Sequence, residues 1–287
     1  MAETSGVQQP KVTKNLLAPI LCDLDGVVWL SHDPIPGSVE AIAALRNLGH
    51  RVLFVTNNSF AKVAVQEEVL NSISIPALGD VLTSAGAAAT LLQPGQRVLV
   101  AGGPGVVEAV EQAGAIVAGR TDDDSTLEQQ MISDGNIDAV VVGFHRTFNF
   151  DSMRRASAAV RAGAKLIGTN NDATYPTSTG VIPGGGSILS AIATASGVDP
   201  IVAGKPFAPM GDLVRRTLGT TDLSNCWMVG DRYSTDGAFA KQIGAKFALV
   251  TSGVASRESA EKLKAQHCFE LVTNDFRGLA QHLGASI

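Results

Sequence analysis

Two aspartates separated by one residue, Asp23 and Asp25, directly follow the apolar run at residues 19–22. A short, continuous apolar run of this kind is typical of a strand buried in a parallel sheet. Alternate residues of an extended chain point to the same side, so the two carboxyl groups could share one pocket. Two carboxylates buried together are costly unless other groups pair with them. The segment therefore predicts a polar site at a strand end, with helix capping by an aspartate as the simpler alternative.

Three further apolar runs in the chain also end in polar side chains. They are Thr56 and Asn57 after residues 52–55, Lys205 after residues 201–203, and Asp231 with the nearby Asp236 after residues 226–229. Open α/β sheets bind ligands at the carboxyl ends of their strands. We therefore expect the four strand ends to contribute side chains to one site.

Strand and helix patterns alternate along the chain, which is typical of a parallel sheet covered by helices on both faces. Helical spacing of apolar residues predicts helices at 38–49, 60–71 and 80–92, the first capped by Ser38. The sequence thus predicts an α/β protein with a parallel-sheet core.

The segment between Asn57 and Lys205 is 147 residues long, which is too long for a loop and includes strand and helix patterns of its own. We predict a disordered N-terminal tail at residues 1–14 and a smaller inserted α/β domain at 85–198. The predicted core then comprises residues 15–84 and 199–287.

Composition and charge exclude several classes of protein. The chain of 287 residues has a net charge of −5, and no basic block or aromatic ladder predicts binding to nucleic acid. No apolar segment is typical of a signal peptide or a membrane span. Three cysteines are too few for a disulfide framework, so we expect a cytoplasmic protein. The sequence leaves the oligomeric state open, including a homodimer.

The four strand-end motifs, in this order, resemble those of the haloacid dehalogenase-like superfamily of aspartate-nucleophile phosphatases. Three stretches of the insert, at residues 143–148, 168–172 and 183–186, resemble the NagD-like, nitrophenyl-phosphatase branch of that superfamily. The resemblance implies a Rossmann-like core, and it implies that the insert is a cap domain over the active site.

The resemblance also implies a role for each core motif. Asp23 is the expected nucleophile, which forms an aspartyl-phosphate, and Asp25 is the expected general acid and base. Thr56 and the backbone N–H of Asn57 are suited to hold phosphate oxygens. Lys205 is suited to place its positive charge on the transferred phosphoryl group.

Charge counting predicts a metal ion. Four aspartates and a phosphate dianion gather more negative charge than Lys205 alone offsets, and ligands that are all oxygen favour Mg²⁺. Asp23 and Asp231 are the expected direct ligands, and the family adds the main chain of Asp25. Asp236 is expected to orient a metal-bound water or Lys205, with capping of the following helix as the alternative.

Three residues of the insert are candidates for substrate specificity. His145 and Arg146 follow the apolar strand at 140–142, in a loop that faces the substrate in the family. Asp172 lies in the segment that returns to the core, where it is expected at the hinge. An ordinary polar loop is the alternative for all three.

The sequence therefore predicts a Mg²⁺-dependent phosphomonoester hydrolase that acts on a small cytoplasmic metabolite. Phosphoglycolate, glycerol phosphate, sugar phosphates and nucleotides fit the family, as does p-nitrophenyl phosphate. The alternatives are a phosphomutase and a non-hydrolytic binding or receiver-like module. Dehalogenation is disfavoured, because the chemistry of that branch does not need Asp25.

A second glycine-rich segment imitates a dinucleotide-binding fingerprint. Gly103 and Gly105 follow an apolar strand and open a helix, but Glu108 occupies the position of the third small residue. A carboxylate there would repel a pyrophosphate, so we expect no dinucleotide binding.

Overall fold

The computed structural model describes residues 17–30, 32–122, 136–177 and 180–287. The tail predicted at residues 1–14 lies outside the described residues. Two parallel sheets, each with helices packed against it, make up most of the described chain. This arrangement confirms the predicted α/β class with a parallel core sheet. Within the described ranges, every helix is too short or too polar to cross a membrane.

The larger sheet has six parallel strands. In spatial order they are β15 (Leu271–Thr273), β14 (Lys246–Val250), β13 (Trp227–Gly230), β1 (Ile20–Cys22), β4 (Val52–Thr56) and β5 (Val81–Thr83). Each residue of β1 is fully buried, with Leu21 in one apolar cluster and Ile20 and Cys22 in another. Alternate side chains therefore fill the cores on the two faces of the sheet, which is why the strand is a continuous apolar run.

Helices cover both faces of this sheet. They are α1 (Ser38–Leu48), α2 (Val63–Ser72), α3 (Ser84–Ala89), α7 (Ala208–Leu218), α8 (Ala238–Ile243), α9 (Arg257–His267) and α10 (Phe276–His282). Ile42 of α1 and Phe276 of α10 pack on the face that holds Ile20, whereas Met210 of α7 and Phe239 of α8 pack on the face that holds Leu21. A π-helical turn, Tyr233–Gly237, leads into α8.

The second sheet has five parallel strands. In spatial order they are β12 (Ile201–Val202), β9 (Lys165–Gly168), β8 (Ala139–Val142), β6 (Arg97–Ala101) and β7 (Ile116–Arg120). Its helices are α4 (Pro104–Gln112), α5 (Phe150–Arg161) and α6 (Gly185–Ser196). Val98 and Val100 of β6 belong to the same apolar cluster as Leu21 of β1, so the two sheets share part of one core.

Two hairpins complete the described elements. The first, β2 (Trp29–Leu30) with β3 (Asp33–Pro34), follows β1 after a short turn. The second, β10 (Thr174–Thr177) with β11 (Gly180–Pro183), precedes α6. Both hairpins place side chains around the carboxyl end of the larger sheet, as described below.

The helix predicted at residues 80–92 is wrong in its first part. Residues 81–83 form β5, which pairs in parallel with β4, and only Ser84–Ala89 is helical. The alanine-rich run dominates the helical pattern there, whereas Val81 and Leu82 gain burial by pairing with β4. The helix predicted at 60–71 begins later, at Val63.

Ser38 is not the N-terminal cap of α1. Gly37, with a φ of 85°, takes the cap position, and the hydroxyl of Ser38 donates a 2.9 Å hydrogen bond to the carbonyl of Val28. The buried serine therefore ties α1 to the turn that follows β1.

The strand before Lys205 also differs from the prediction. Residues Ile201–Val202 form β12, which pairs with β9 at the edge of the second sheet and not with the larger sheet. Lys205 therefore follows a strand of the second sheet, whose strands all lie between Asn57 and Lys205 in the chain. The predicted border at 198/199 stays a proposal, and β12 lies beyond it.

The glycines of the rejected dinucleotide fingerprint have a packing role. The backbone N–H of Gly105 donates a 2.8 Å hydrogen bond to Phe60, and a Cβ at Gly105 would lie 2.3 Å from the carbonyl oxygen of Ala61. Glu108 accepts a 2.9 Å hydrogen bond from the backbone N–H of Val63, the first residue of α2. Helix α4 thus docks closely on the loop before α2, and only glycine fits at position 105.

We predict that Gly105→Ala lowers the free energy of unfolding by about 1–3 kcal/mol, because its methyl group would overlap backbone atoms. Urea denaturation measures the change. Gly86→Ala is the matched control, since a Cβ at Gly86 in α3 would meet Leu213 at an ordinary 3.4 Å. The control should be neutral or slightly stabilising, as alanine favours the helix. A Gly105→Ala protein as stable as the control would contradict the close docking of α4.

Candidate active site

Three adjacent strands of the larger sheet bring their polar ends together. Asp23 follows β1, Thr56 ends β4, and Asp231 follows β13, with β1 lying between the other two strands. Carboxylate oxygens of Asp23, Asp231 and Asp236 all lie within 4.8 Å of one another. The expectation that these strand ends contribute to one place in the fold therefore agrees with the geometry.

Lys205 reaches this cluster from the loop after β12. Its Nζ lies 2.7 Å from Oδ1 of Asp23 and 2.7 Å from Oδ1 of Asp236, and its side chain is only 2% exposed. Burial alone lowers the pKa of Lys205, but the Asp23 and Asp236 carboxylates outweigh it and raise its pKa above the usual value. The lysine is therefore charged, and its two anions offset the cost of burying it.

Asp231 is held in a narrow space between two glycines. Its Oδ2 accepts a 2.8 Å hydrogen bond from the backbone N–H of Val254. A Cβ at Gly26 would lie 2.4 Å from that oxygen, and one at Gly253 would lie 2.1 Å from it. Gly26 also has a φ of 82°, which favours glycine. The turn after β1 and the loop before α9 thereby fix the direction of this carboxylate.

Asp25 is oriented by the first hairpin. Nε1 of Trp29 donates a 3.1 Å hydrogen bond to Oδ1 of Asp25. Burial, followed by the charge of Asp23, raises the pKa of Asp25 to about 6, and the bond from Trp29 acts in the opposite direction. A carboxyl group with this pKa can both donate and accept a proton near neutral pH.

Asn57 ties Lys205 to the end of β4. Its Oδ1 accepts a 2.9 Å hydrogen bond from the backbone N–H of Lys205, and its Nδ2 donates to the Lys205 carbonyl at 3.1 Å. The same Nδ2 lies 3.0 Å from Oδ2 of Asp172. The side chain of Asn57 is thus engaged in fixing the loop of Lys205, and Asp172 joins the site through it.

A cavity of about 890 Å³ opens over these groups. Its polar lining includes Asp23, Asp25, Thr56, Asn57, Lys205 and Asp231. Its apolar lining includes Trp29, Phe60, Val65, Val69, Phe144 and Tyr175. The cavity therefore combines a charged region at the strand ends with an aromatic region, part of which belongs to the second sheet and its hairpin.

His145 is placed differently from the expectation. Its side chain is buried, with Nδ1 3.2 Å from Oγ1 of Thr147 and 3.7 Å from Oδ2 of Asp122, and it does not line the cavity. Burial lowers the pKa of His145 more than the Asp122 carboxylate raises it. Its neighbours Phe144 and Arg146 do line the cavity.

Sequence reasoning missed the aromatic residues of the cavity. Phe60 follows the Thr56-Asn57 motif without belonging to it, Tyr175 lies in a segment with no strand-end motif, and Phe144 belongs to a stretch that resembles the family. Residue 103 is a glycine, and this reflects the position of Phe60, because a Cβ there would lie 2.4 Å from the ring of Phe60. This relation can be recognised only once the fold is known, since residues 60 and 103 are distant in the chain.

Comparison with known proteins agrees with this geometry. Residues 20–116 match the family described as haloacid dehalogenase-like hydrolase, and residues 202–279 match the HAD-hydrolase-like family. The 5′-nucleotidase YutF of Bacillus subtilis is 33% identical over 88% of this chain and 95% of its own. The chain therefore belongs to the haloacid dehalogenase-like hydrolases, in their phosphatase branch, which confirms the resemblance of the motifs.

Two solved structures of phosphatases share the fold. The p-nitrophenyl phosphatase from Archaeoglobus fulgidus superposes with a TM-score of 0.80 at 30% identity, covering 93% of this chain and 99% of that one. The glycerol phosphate phosphatase from Mycobacterium tuberculosis, solved in complex with magnesium, gives a TM-score of 0.78 at 32% identity, covering 92% and 76%. The similarity therefore extends across both sheets.

We predict that Asp236→Ala lowers the free energy of unfolding by about 3–5 kcal/mol, because Lys205 would lose one of its two buried anions. Urea denaturation in metal-free buffer measures the loss. Asp212→Ala removes a comparable 3.1 Å ion pair with Arg215, but that pair is exposed, so it should cost less than about 1 kcal/mol. Equal, small losses in the two variants would contradict the charge pairing assigned to Lys205.

Proposed function

We propose that this protein hydrolyses small phosphomonoesters with Mg²⁺, through an aspartyl-phosphate formed on Asp23. The observation that carries the proposal is the contact of Lys205 with Asp23 at 2.7 Å, beside Asp25 and Asp231 in one cavity. A nucleophile, a proton donor and a cation for the phosphoryl group thus line the same space. The glycerol phosphate, p-nitrophenyl and nucleotide activities of the relatives support the same reaction class.

The first chemical step transfers the phosphoryl group to the protein. A carboxylate oxygen of Asp23 forms a bond to phosphorus as the bond from phosphorus to the ester oxygen breaks. Asp25 donates its proton to that departing oxygen, and Lys205 offsets the charge on the phosphoryl oxygens. Thr56 and the backbone N–H of Asn57 orient those oxygens at the end of β4.

The second step returns Asp23 to its free form. Asp25, now ionised, accepts a proton from a water molecule, whose oxygen attacks the phosphorus of the aspartyl-phosphate. The bond between Asp23 and phosphorus breaks, and inorganic phosphate leaves. One carboxyl group thereby serves as acid in the first step and as base in the second.

The residues of the cluster fit a Mg²⁺ ion. Within the described ranges, no lysine, arginine or histidine forms an ion pair with Asp231, whereas Val254 and two glycines hold its carboxylate in a fixed direction. Asp23, Asp231 and the main-chain carbonyl of Asp25 would hold the ion as hard oxygen ligands. The ion supplies positive charge that lets a phosphate dianion approach the carboxylate of Asp23.

The contacts of Asp236 favour a role in positioning Lys205. Its Oδ1 is engaged with Lys205, and its Oδ2 accepts a 3.2 Å hydrogen bond from the backbone of Arg232. We propose that Asp236 orients Lys205 toward the phosphoryl group. We propose that Arg146 and Asp172 of the insert contribute to substrate specificity. His145 does not line the cavity, so we do not propose it as a substrate contact.

The finer features of the function rest on the sequence. A cytoplasmic location, the absence of nucleic acid and membrane partners, and a homodimer stay predictions. A small substrate is favoured because the cavity lies between the larger sheet and the hairpin and loops of the second sheet. The non-hydrolytic module is disfavoured, because it has no use for an Asp25 with a raised pKa.

The proposal is tested with a panel of phosphomonoesters assayed for phosphate release in the presence of Mg²⁺. Asp23→Asn keeps the shape of the side chain but removes the nucleophile, so we expect kcat to fall by at least about 10⁴-fold. Borohydride trapping should label Asp23 in the wild-type protein. Hydrolysis by Asp23→Asn at the wild-type rate, or a label on Asp25, would contradict the assignment.

Metal removal gives a separate prediction. Treatment with EDTA should abolish phosphate release, and added Mg²⁺ should restore it, because the clustered carboxylates need a cation before a dianion can approach. Ca²⁺ should inhibit, since its looser and higher coordination allows Asp23 to be held in an unproductive pose. Full activity after exhaustive chelation would exclude this mechanism.

The role of Asp25 predicts a dependence on the leaving group. Asp25→Asn should slow aspartyl-phosphate formation from glycerol phosphate by roughly 10²–10⁴-fold. Formation from p-nitrophenyl phosphate should slow much less, because p-nitrophenolate leaves without a proton. Single-turnover bursts are the measurement, since turnover also includes the second step, which is common to both esters.

The pH profile of the same burst provides a control for the role of Asp25. With glycerol phosphate, the wild-type burst should fall as the pH rises through about 6, because the ionised carboxyl group has no proton to donate. The burst of Asp25→Asn should not show this step. Equal slowing of both esters by Asp25→Asn would assign Asp25 to structure or metal binding.

A further inference from the structure

Three aromatic rings form a continuous wall along the cavity. Phe144, which follows β8, stacks on Tyr175 of β10 with ring centroids 5.7 Å apart and an angle of 19° between the planes. Phe60, which follows β4, meets Phe144 edge to face at 5.8 Å and 65°. All three residues line the cavity. We call this set, Phe60, Phe144 and Tyr175, the aromatic wall, and it joins the larger sheet to the second sheet.

Phe60 is held in the wall by the start of helix α4. A Cβ at Gly103 would lie 2.4 Å from Cδ2 of Phe60 and 2.9 Å from its carbonyl oxygen, so the absence of a side chain at 103 leaves space for the ring. The Phe60 carbonyl accepts the hydrogen bond from Gly105. Phe60 is nevertheless 40% exposed, so one part of the ring is fixed and another part faces the cavity.

The wall lines the same cavity as Asp25, the group proposed to protonate the leaving oxygen. Burial, followed by the charge of Asp25, raises the pKa of Tyr175, whereas Arg146 lowers it. Asp25 and Tyr175 also line the same cavity. A leaving group that takes its proton from Asp25 therefore lies in the same cavity as the wall.

The chemistry of the wall favours a flat apolar group over a polyol. Phenylalanine rings offer no hydrogen bonds to hydroxyl groups, whereas they stack well on another ring. The 890 Å³ cavity is near the upper end of the usual range for small-molecule sites, about 300–1,000 Å³, so it has room for a ring system beyond the phosphate. An exposed aromatic surface next to the catalytic acid is otherwise in unfavourable contact with water.

We propose that the aromatic wall is the leaving-group subsite, and that the substrates are phosphomonoesters whose leaving group carries an aromatic or heteroaromatic ring. Phe60 is then a specificity-determining residue, and Gly103 is a positioning residue that acts through it. The proposal rests on the proposed function and narrows its substrate class, since a polyol phosphate has no aromatic ring to stack on Phe60 and Phe144.

The test compares two aryl phosphates, one with a single ring in its leaving group and one with two fused rings. Phenyl phosphate and 2-naphthyl phosphate both release an aryl oxide of similar basicity, so the ratio of their kcat/KM values reports contact with the second ring. An aromatic contact contributes about 0.5–1.5 kcal/mol beyond its area, and a tenfold change equals about 1.4 kcal/mol. We therefore expect wild-type protein to prefer 2-naphthyl phosphate by about tenfold.

Variants of the wall should lower this preference. Phe60→Ala and Phe144→Leu should each reduce the naphthyl-to-phenyl ratio by at least about threefold, and thermal melting checks that each variant is folded. Phe150→Ala is the control, since Phe150 is an exposed phenylalanine in α5 that does not line the cavity. The control should keep the wild-type ratio. Wall variants that keep the wild-type ratio would overturn the proposal.

Gly103 allows the ring of Phe60 to be moved without a change in the cavity lining. Gly103→Ala should lower the naphthyl-to-phenyl ratio in the same direction as Phe60→Ala, because the new methyl group displaces the ring. The double variant Gly103→Ala/Phe60→Ala should give the ratio of Phe60→Ala alone, since the ring that the methyl group displaces is then absent. The methyl group still lies 2.9 Å from the carbonyl oxygen of residue 60, so thermal melting must show that the double variant is folded. Additive losses would show that Gly103 acts on the site by another route and would overturn its assigned role.

Failure of the inference and failure of the proposed function give different results. Efficient hydrolysis of glycerol 3-phosphate, with a kcat/KM above that of 2-naphthyl phosphate, would reject the inference and leave the phosphatase function intact. If no ester is hydrolysed, the proposed function fails. In that case, calorimetric titration of Asp23→Asn with 2-naphthyl phosphate and with glycerol 3-phosphate still tests the subsite. Tighter binding of the naphthyl ester, weakened by Phe60→Ala, supports it, and equal binding overturns it.

Discussion

The buried ammonium of Lys205, placed 2.7 Å from both Asp23 and Asp236, is the interaction on which the rest of the site depends. A charge without access to water must be neutralised where it lies, and the two aspartates reach it from the end of β1 and from the π-helical turn before α8. The lysine itself arrives from the loop after β12. One buried charge therefore ties three separate segments together and holds the proposed nucleophile in a fixed position.

Glycines that allow close approach of the backbone also fix the positions of polar groups in and around the site. Gly26 and Gly253 leave space for Asp231, Gly105 leaves space for the loop before α2, and a Cβ at Gly204 would lie 2.6 Å from Oδ1 of Asn57. At each of these places a hydrogen bond or an ion pair is made because no side chain intervenes. The polar cluster and the glycines are thus two parts of the same arrangement, in which short distances let charges act with little screening.

Three core residues were predictable from the sequence because each stands at the end of a buried strand, where the direction of the chain sets the direction of the side chain. Asp23, Thr56 and Asp231 meet for this reason. The prediction failed where tertiary pairing decides, because β5 lies within a run whose alanines favour a helix. No motif distinguishes Arg146, which lines the cavity, from His145, which does not. The contact of Phe60 with Gly103 could not be predicted, since it depends on how the two sheets dock.

The pairing of β12 with β9 has a consequence for how such a protein can be taken apart. The strand that leads to Lys205 is built into the sheet of the insert, so the insert is not a module that can be exchanged at the border before residue 199. A chimaera in which residues 85–198 are exchanged would keep β12 but lose its native partner β9, and the loop of Lys205 follows β12. Recombination between relatives should therefore preserve the native chain through residue 205.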